Sequence, residues 1–304
     1  MSVAGYAHPA YAAALAEFGE PLALPRCRGW LLRRAIPGTP FRDAMGCYPL
    51  FACQDWSGLA DDIAEHAATL VSFCAVLDPF GDYAQDDLQR AFPDELLAYK
   101  THFVVDTERP LEGRVPQNHR RNARKALDAV QVELVADPLA VLDDWVALYR
   151  VLCSRHAITG LRAFSRASFA RQLAVPGITV FRGLLNGETI GMLLWYVQRQ
   201  TAYYHLGAQS VLGYERHVSF GLLWRAIEHF RNSGFRWLNL GAGAGASEPS
   251  SGLTRFKEGW ATESRTAYFG ARILDRDRYQ QLASHARAEA GCTYFPVYRA
   301  GEFA

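Results

Sequence analysis

The sequence predicts an α/β (α+β) fold with two domains in tandem, each a mixed sheet flanked by helices. Three observations predict it. At 304 residues the chain is longer than one average domain and short for three. Apolar periodicity switches repeatedly between the two-residue alternation of strands and the wider spacing of helices. The strand signals gather into two clusters, one before and one after Pro110.

In the first cluster, Trp30 to Ile36, Asp43 to Cys53, Val71 to Leu77 and Leu97 to Val105 read as strands, with helices across Gly58 to Leu70 and Tyr83 to Ala91. Pro37-Gly38, Asp78-Pro79 and Phe92-Pro93 separate them. The second cluster opens with a helix over Pro116 to Val130, where proline suits the first turn and Ala123, Ala126 and Leu127 form an apolar stripe. Val132 to Val135 is a strand, followed by helices over Leu142 to Arg155 and Ser165 to Leu173. The strands Ile178 to Leu185 and Ile190 to Gln198 flank Asn186-Gly187, the strongest hairpin signal in the chain. Thr201 to Gln209 makes a third strand, Ser219 to Asn232 a helix and Phe235 to Leu240 a further strand. A last helix covers Arg276 to Glu289. The expected domains are 1–112 and 113–274, with the segment 275–304 packing back on the first.

Half the residues are hydrophobic, enough for a sizeable core, and 32 basic against 31 acidic side chains leave a net charge of +1. No whole-molecule field draws in polyanions, so DNA is not an expected partner and any phosphate site is a local patch. The six cysteines have no metal-ligand spacing, so no metal is expected and they read as buried free thiols of a reducing compartment. No basic leader precedes the alanine-rich start, and no apolar run approaches the ~18 residues of a membrane span. These features predict a cytoplasmic protein.

Three constellations carry chemistry. Arg120, Arg121, Arg124 and Lys125 lie at helical spacing beside His119, a cluster able to hold phosphates or simply to face water. Lys257 sits among aromatic residues in Ser251-Gly-Leu-Thr-Arg-Phe-Lys-Glu-Gly-Trp260, a stretch expected to be strand-like after a glycine-rich break. It could stabilise an oxyanion, bind an anionic substrate with Arg255 and Phe256 beside it, or point to water. On the third strand of the second cluster, Tyr203 and His205 share one face and Tyr204 takes the other. His205 or Glu215 could serve as general base, or His205 could be a satisfied core residue.

Two further patterns are weaker. Gly241-Ala-Gly-Ala-Gly245 follows a strand, but Ser247 to Gly252 reads as a loop where a dinucleotide site needs a helix at once, so a turn passing close to a ligand and a plain loop are the alternatives. Cys153 and His156 lie three apart on a helix without an oriented third partner. The neighbouring carboxylates Asp61-Asp62, Asp86-Asp87 and Asp143-Asp144 read as solvated faces.

The basic segment His119 to Ala126, the hairpin meander and the Arg255-Phe-Lys257 stretch together resemble the FemAB/FemX-like branch of the GNAT acyltransferase superfamily. The resemblance implies two tandem GNAT-like domains and places Lys257 in the active cleft. Coenzyme-A-using relatives carry a glycine-patterned loop after the fourth core strand. Here Gly213 fits that pattern, but Glu215 stands at the next glycine position. The chain has no heptad run, hence no coiled-coil arm. The implied activity is aminoacyl transfer from an aminoacyl-tRNA to a small-molecule or peptide amine, with no permanently bound cofactor. An acyl-CoA-dependent N-acyltransferase, with acetyl- or acyl-CoA as donor, and an inert scaffold for RNA or protein are the alternatives.

Overall fold

A computed structural model describes residues 3–110, 113–243, 252–285 and 292–302. Its elements run α1 (Pro9–Ala14), β1 (Glu20–Leu24), β2 (Gly29–Ala35), β3 (Arg42–Gly46), α2 (Leu59–Glu65), β4 (Ser72–Val76), α3 (Gln85–Ala91), β5 (Glu95–Asp106), α4 (Gln117–Ala129), β6 (Gln131–Leu134), α5 (Leu142–His156) and α6 (Arg166–Gln172). There follow β7 (Ile178–Leu185), β8 (Glu188–Gln198), β9 (Thr201–Gln209), α7 (Val211–Glu215), α8 (Val218–Asn232), β10 (Trp237–Gly241), α9 (Gly252–Glu258), β11 (Glu263–Ile273) and α10 (Arg276–His285).

The chain divides into two compact units. One comprises Met1–Gly5, Lys100–Ile158 and Ser165–Thr266; the other comprises Tyr6–Tyr99, Thr159–Phe164 and Ala267–Ala304. The divisions fall inside β5 and β11, because each of these long strands contributes one half to each unit. The sequence predicts breaks at residues 112 and 274, outside both strands.

The unit containing Lys257, called the lysine unit below, orders its strands β6-β7-β8-β9-β10-β5. All neighbours are antiparallel except β9 and β10, which run parallel with α8 between them in sequence. The hairpin joining β7 and β8 turns on Asn186 and Gly187 at φ +53° and +85°, the left-handed pair that a two-residue hairpin requires. Its core gathers Trp195, Phe230, Trp260, Leu222, Leu223 and Leu238, all within 2 % of full burial. Helix α4 contributes Ala123 and Ala126 to this side of the unit and packs along α8, close enough that a Cβ added at Gly221 would meet Ala126 at 3.0 Å.

The other unit orders its strands β1-β2-β3-β4-β11 around Phe51, Phe73, Leu77 and Phe92. Here too one pair, β3 and β4, is parallel and the rest are antiparallel. Two carboxylates expected on solvated faces, Asp62 and Asp144, are instead engaged in the fold. Asp62 is fully buried and accepts the amides of Cys27 at 2.7 Å and Arg26 at 3.1 Å, stopping the turn between β1 and β2. Asp144 is half-exposed but accepts the Thr189 hydroxyl at 2.5 Å and pairs with Arg182. All six cysteines are free thiols, but only Cys27, Cys47 and Cys53 are buried as expected; Cys74 and Cys153 are half-buried and Cys292 is exposed.

Candidate active site

The site begins where β9 and β10 part. Their parallel register covers only Thr201–Tyr203 against Trp237–Asn239, and β9 then runs on to Gln209 while β10 ends at Gly241. The register of β9 against β8 also slips by one residue between Leu194 and Trp195, which leaves His205 without an opposed residue. A parallel pair that stops early leaves main chain on both inner edges without its ladder partner.

Lys257 occupies that parting. The stretch expected to be strand-like contains the short helix α9, whose buried residue is Lys257. Lys257 is 8 % exposed; its Nζ donates to the Ala242 carbonyl at 2.7 Å and lies 5.3 Å from the Tyr204 ring centroid. Burial, reinforced by the charge of Lys100, pushes its pKa down to about 7. The ammonium and the free amine therefore coexist at neutral pH. Gly241 makes room for it: the backbone turns at φ +74°, and a Cβ there would stand 3.3 Å from Nζ.

Helix α9 is held by α4. His119, read with the basic cluster, is 6 % exposed and lies among aromatic rings, 5.1 Å from Phe220, 5.3 Å from Trp260 and stacked on Phe256 at 6.1 Å. Its Nε2–H donates to the Phe256 carbonyl at 3.1 Å, one residue before Lys257. Burial lowers its pKa, so it is a neutral clamp instead of a phosphate ligand. Arg120, Arg121, Arg124 and Lys125 lie on the exposed side of α4, and none has an ion pair among the described residues.

The other candidates are distributed as follows. Tyr203 and His205 are buried on the sheet face opposite Tyr204, as strand alternation requires. His205 Nε2 lies 2.9 Å from Gln172 Oε1, with the Tyr196 ring at 4.8 Å, and burial pushes its pKa down to about 3. Arg255 and Glu215 are exposed without a polar partner among the described residues, and Phe256 is half-buried against His119 and Phe220. Cys153 has its thiol pKa raised by burial, the reverse of an activated nucleophile. Of the glycine run, Gly241, Ala242 and Gly243 are described; Ala244 and Gly245, together with Ser247–Ser251, lie outside the described residues.

The loop after β9 is closed on itself. Ser210 Oγ accepts the Gly213 amide, and the amides of Tyr214, Arg216 and His217 donate to the carbonyls of Ser210, Leu212 and Tyr214. Gly213 is there because any Cβ would strike the Ile190 carbonyl. These amides are spent locally, and little is left to cradle a pyrophosphate.

Two residues of the site escaped the sequence reading. On β10, Asn239 is 2 % exposed, and its Oδ1 accepts the Gly241 amide at 2.9 Å. On β5, His102 is 6 % exposed, with Nδ1 3.0 Å from the same oxygen. The available signal was a lone polar residue in the apolar strand Trp237-Leu-Asn-Leu240.

Comparison with known proteins places this geometry. Residues 113–258 match the family described as acetyltransferase (GNAT) domain, a span that contains α4, the β9–β10 parting and Lys257. The lysine unit carries a GNAT acyltransferase domain. Among solved structures, FemX superposes with a TM-score of 0.64 at 14 % identity over 83 % of this chain and 86 % of its own. The C-terminal domain of a putative lysylphosphatidylglycerol synthetase from Agrobacterium fabrum gives 0.63 at 15 % over 90 % of both chains. L-PGS from Bacillus licheniformis gives 0.60 at 13 % over 92 % and 95 %. At these identities the likeness is one of fold: a FemX-like, tandem GNAT architecture. No curated protein matches the chain. Among the described residues no helix is long and apolar enough to cross a membrane, and no cluster of potential metal ligands occurs.

Proposed function

We propose that the GNAT domain is an aminoacyltransferase, taking an aminoacyl group from an aminoacyl-tRNA ester and passing it to an amine to form an amide bond. The observation that carries this reading is Lys257, a buried ammonium held at the mouth of the β9–β10 parting by one carbonyl. An ester is already activated, so the enzyme must orient the reactants and stabilise charge, and needs no covalent intermediate. As the amine attacks, the carbonyl π pair moves onto oxygen and the C–N bond forms. Lys257 keeps hydrogens beyond the one given to Ala242 and can offer them to that oxyanion. Collapse of the intermediate breaks the C–O bond to the ribose, whose oxygen takes up the proton that the amine loses.

Two features support a tRNA donor over coenzyme A. The loop after β9 has spent its amides on itself. The outer side of α4 offers Arg120, Arg121, Arg124 and Lys125 without acidic neighbours paired to them, a surface suited to successive phosphates. Charge reversal at Arg121 and Arg124 should weaken donor binding and flatten its dependence on salt. An unchanged salt slope would remove the helix from the donor contact.

The second reading, an acyl-CoA-dependent N-acyltransferase, is favoured by the acetyltransferase description of the matched family. The test is donor loss from purified protein given mixed aminoacyl-tRNAs or acetyl-CoA, with Lys257→Ala as control. The acceptors would be a panel of amines and, because one structural neighbour is named for a lipid product, phosphatidylglycerol vesicles. Loss of one aminoacyl-tRNA supports the proposal. Loss of acetyl-CoA alone moves the chain to the second reading, and loss of neither donor leaves an inert scaffold.

A further inference from the structure

The bond between His102 and Asn239 fixes where the imidazole keeps its proton. The Gly241 amide can only donate, so the side-chain atom of Asn239 that meets it at 2.9 Å is its oxygen. That oxygen can only accept, so His102 Nδ1, 3.0 Å away, carries the hydrogen. Burial, opposed by the Asn239 bond and aided by the charges of Lys257 and Lys100, pushes the pKa of the ring down to about 4. The ring is therefore neutral at pH 7 with a lone pair on Nε2, for which no partner occurs among the described residues.

His102 and Lys257 are braced on consecutive residues. Asn239 holds the amide of Gly241, and Lys257 holds the carbonyl of Ala242. One corner of main chain thus fixes a proton acceptor and a cation together. Among the described residues, the groups acting on His102 are Asn239 on β10, Lys257 on α9 and Lys100 on its own strand, with no carboxylate among them. The lysine pair suppresses protonation of the ring, which accepts a proton only as charge develops on the attacking amine.

We propose that His102 Nε2 is the general base of the transfer, taking the proton that the attacking amine loses and returning it to the leaving alkoxide. A neutral amine forms the C–N bond and becomes positively charged, and its proton moves to Nε2. The oxyanion collapses, the C–O bond breaks, and the imidazolium hands the same proton to the departing oxygen. The inference rests on the acyl-transfer reading above and applies with either donor.

Histidine nitrogen shifts in the wild-type protein test the tautomer first. A pyridine-type Nε2 on His102 at pH 7 is expected; a protonated Nε2 would overturn the proposal. In the transfer assay His102→Gln, which can still donate to Asn239, should lower kcat by about 100-fold or more while donor KM stays within about twofold. Asn239→Asp places a carboxylate against Nδ1, so the acid limb of the pH–rate profile should move up by at least one unit. A merely structural histidine would leave that limb in place, and an unmoved limb sinks the idea even if His102→Gln does not fold. If wild type transfers, Lys257→Ala does not, and His102→Gln keeps the full rate, the base assignment fails and the transfer reading stands. If wild type consumes neither donor, both fail.

Discussion

The two units repeat one pairing pattern and finish it differently. In the lysine unit the strands β7-β8-β9-β10-β5 pair antiparallel, antiparallel, parallel, antiparallel, and β1-β2-β3-β4-β11 of the other unit follow the same order. Each parallel pair is bridged by a helix, α8 in one and α2 in the other. After β3 leaves β4, however, the chain returns: Phe51 N–H donates to the Val76 carbonyl at 2.7 Å and its carbonyl accepts the Asp78 amide at 3.0 Å. Phe51 is fully buried, with Trp56 at 5.6 Å and Phe73 at 6.3 Å. One parting is sewn shut by the chain itself and filled with aromatic carbon. The other is left open, and Lys257 reaches the Ala242 carbonyl just past the end of β10.

The largest effect expected from this difference is at Lys257. Lys257→Met should abolish transfer, by about 100-fold or more, if the ammonium meets an oxyanion. It should also stabilise the fold. The folded pKa, about 7, is below the ordinary 10.5, so between those values the unfolded chain binds more protons and stability rises with pH. Below about pH 7 the full penalty is present, and Met should recover on the order of 1–3 kcal/mol in chemical denaturation there. A variant that loses both activity and stability would mean that the lysine is structural, and the contrast with Phe51 would disappear.

Phe51→Ala is the reciprocal experiment. Removing a fully buried ring should cost about 3–5 kcal/mol. The rate per folded molecule should not change, because the lysine unit supplies every group assigned to the reaction. A loss of kcat without loss of stability would show that the closed parting also serves catalysis.

Acid separates the units more gently. The lysine unit buries His102 and His205, lowered by burial to about 4 and about 3, whereas the other buries the pair Arg299–Asp43 at 2.5 Å. Both histidines take up protons at 6.5 when unfolded, so stability falls with pH from there to their folded values, by about 1.4 kcal/mol per unit for each. Hydrogen exchange between pH 6.5 and 4 should show β9 amides losing protection before those of β3. His205→Gln should flatten the loss.

Much of this was legible locally and some was not. Asn186-Gly187, the α4 stripe and the alternation of β9 are encoded within a few residues, and the structure has them where the sequence puts them. Helix α9 has only seven residues, too few to show a helical period against the β-like sequence around it. Strand β11 begins Glu263-Ser-Arg265, a charged opening that hides a strand whose buried residues, Ala267, Gly270 and Ala271, come later. Asp43 to Cys53 reads as one strand, but β3 ends at Gly46 and only Phe51 re-pairs. His102 meets Asn239 across 137 residues, a pairing that exists only once β5 lies beside β10.

The smallest effect bears on the corner that holds the site. Gly241 stands at φ +74°, a conformation other residues adopt at a cost of about 1 kcal/mol, and a Cβ there would sit 3.3 Å from Lys257 Nζ. The amine can yield a few tenths of an ångström by turning, so Gly241→Ala should fold with a stability loss of about 1–2 kcal/mol. It should nevertheless slow transfer several-fold, since the same shift disturbs the Ala242 bond to Lys257 and the Asn239 bond that orients His102. Gly38 gives the matched control, being also left-handed, at φ +73°, with nothing within 4 Å of an added Cβ. If Gly38→Ala and Gly241→Ala lose the same stability but only the second loses rate, the corner acts through the two side chains it holds. Equal rates would mean that the parting tolerates displacement and that its geometry matters less than its charge.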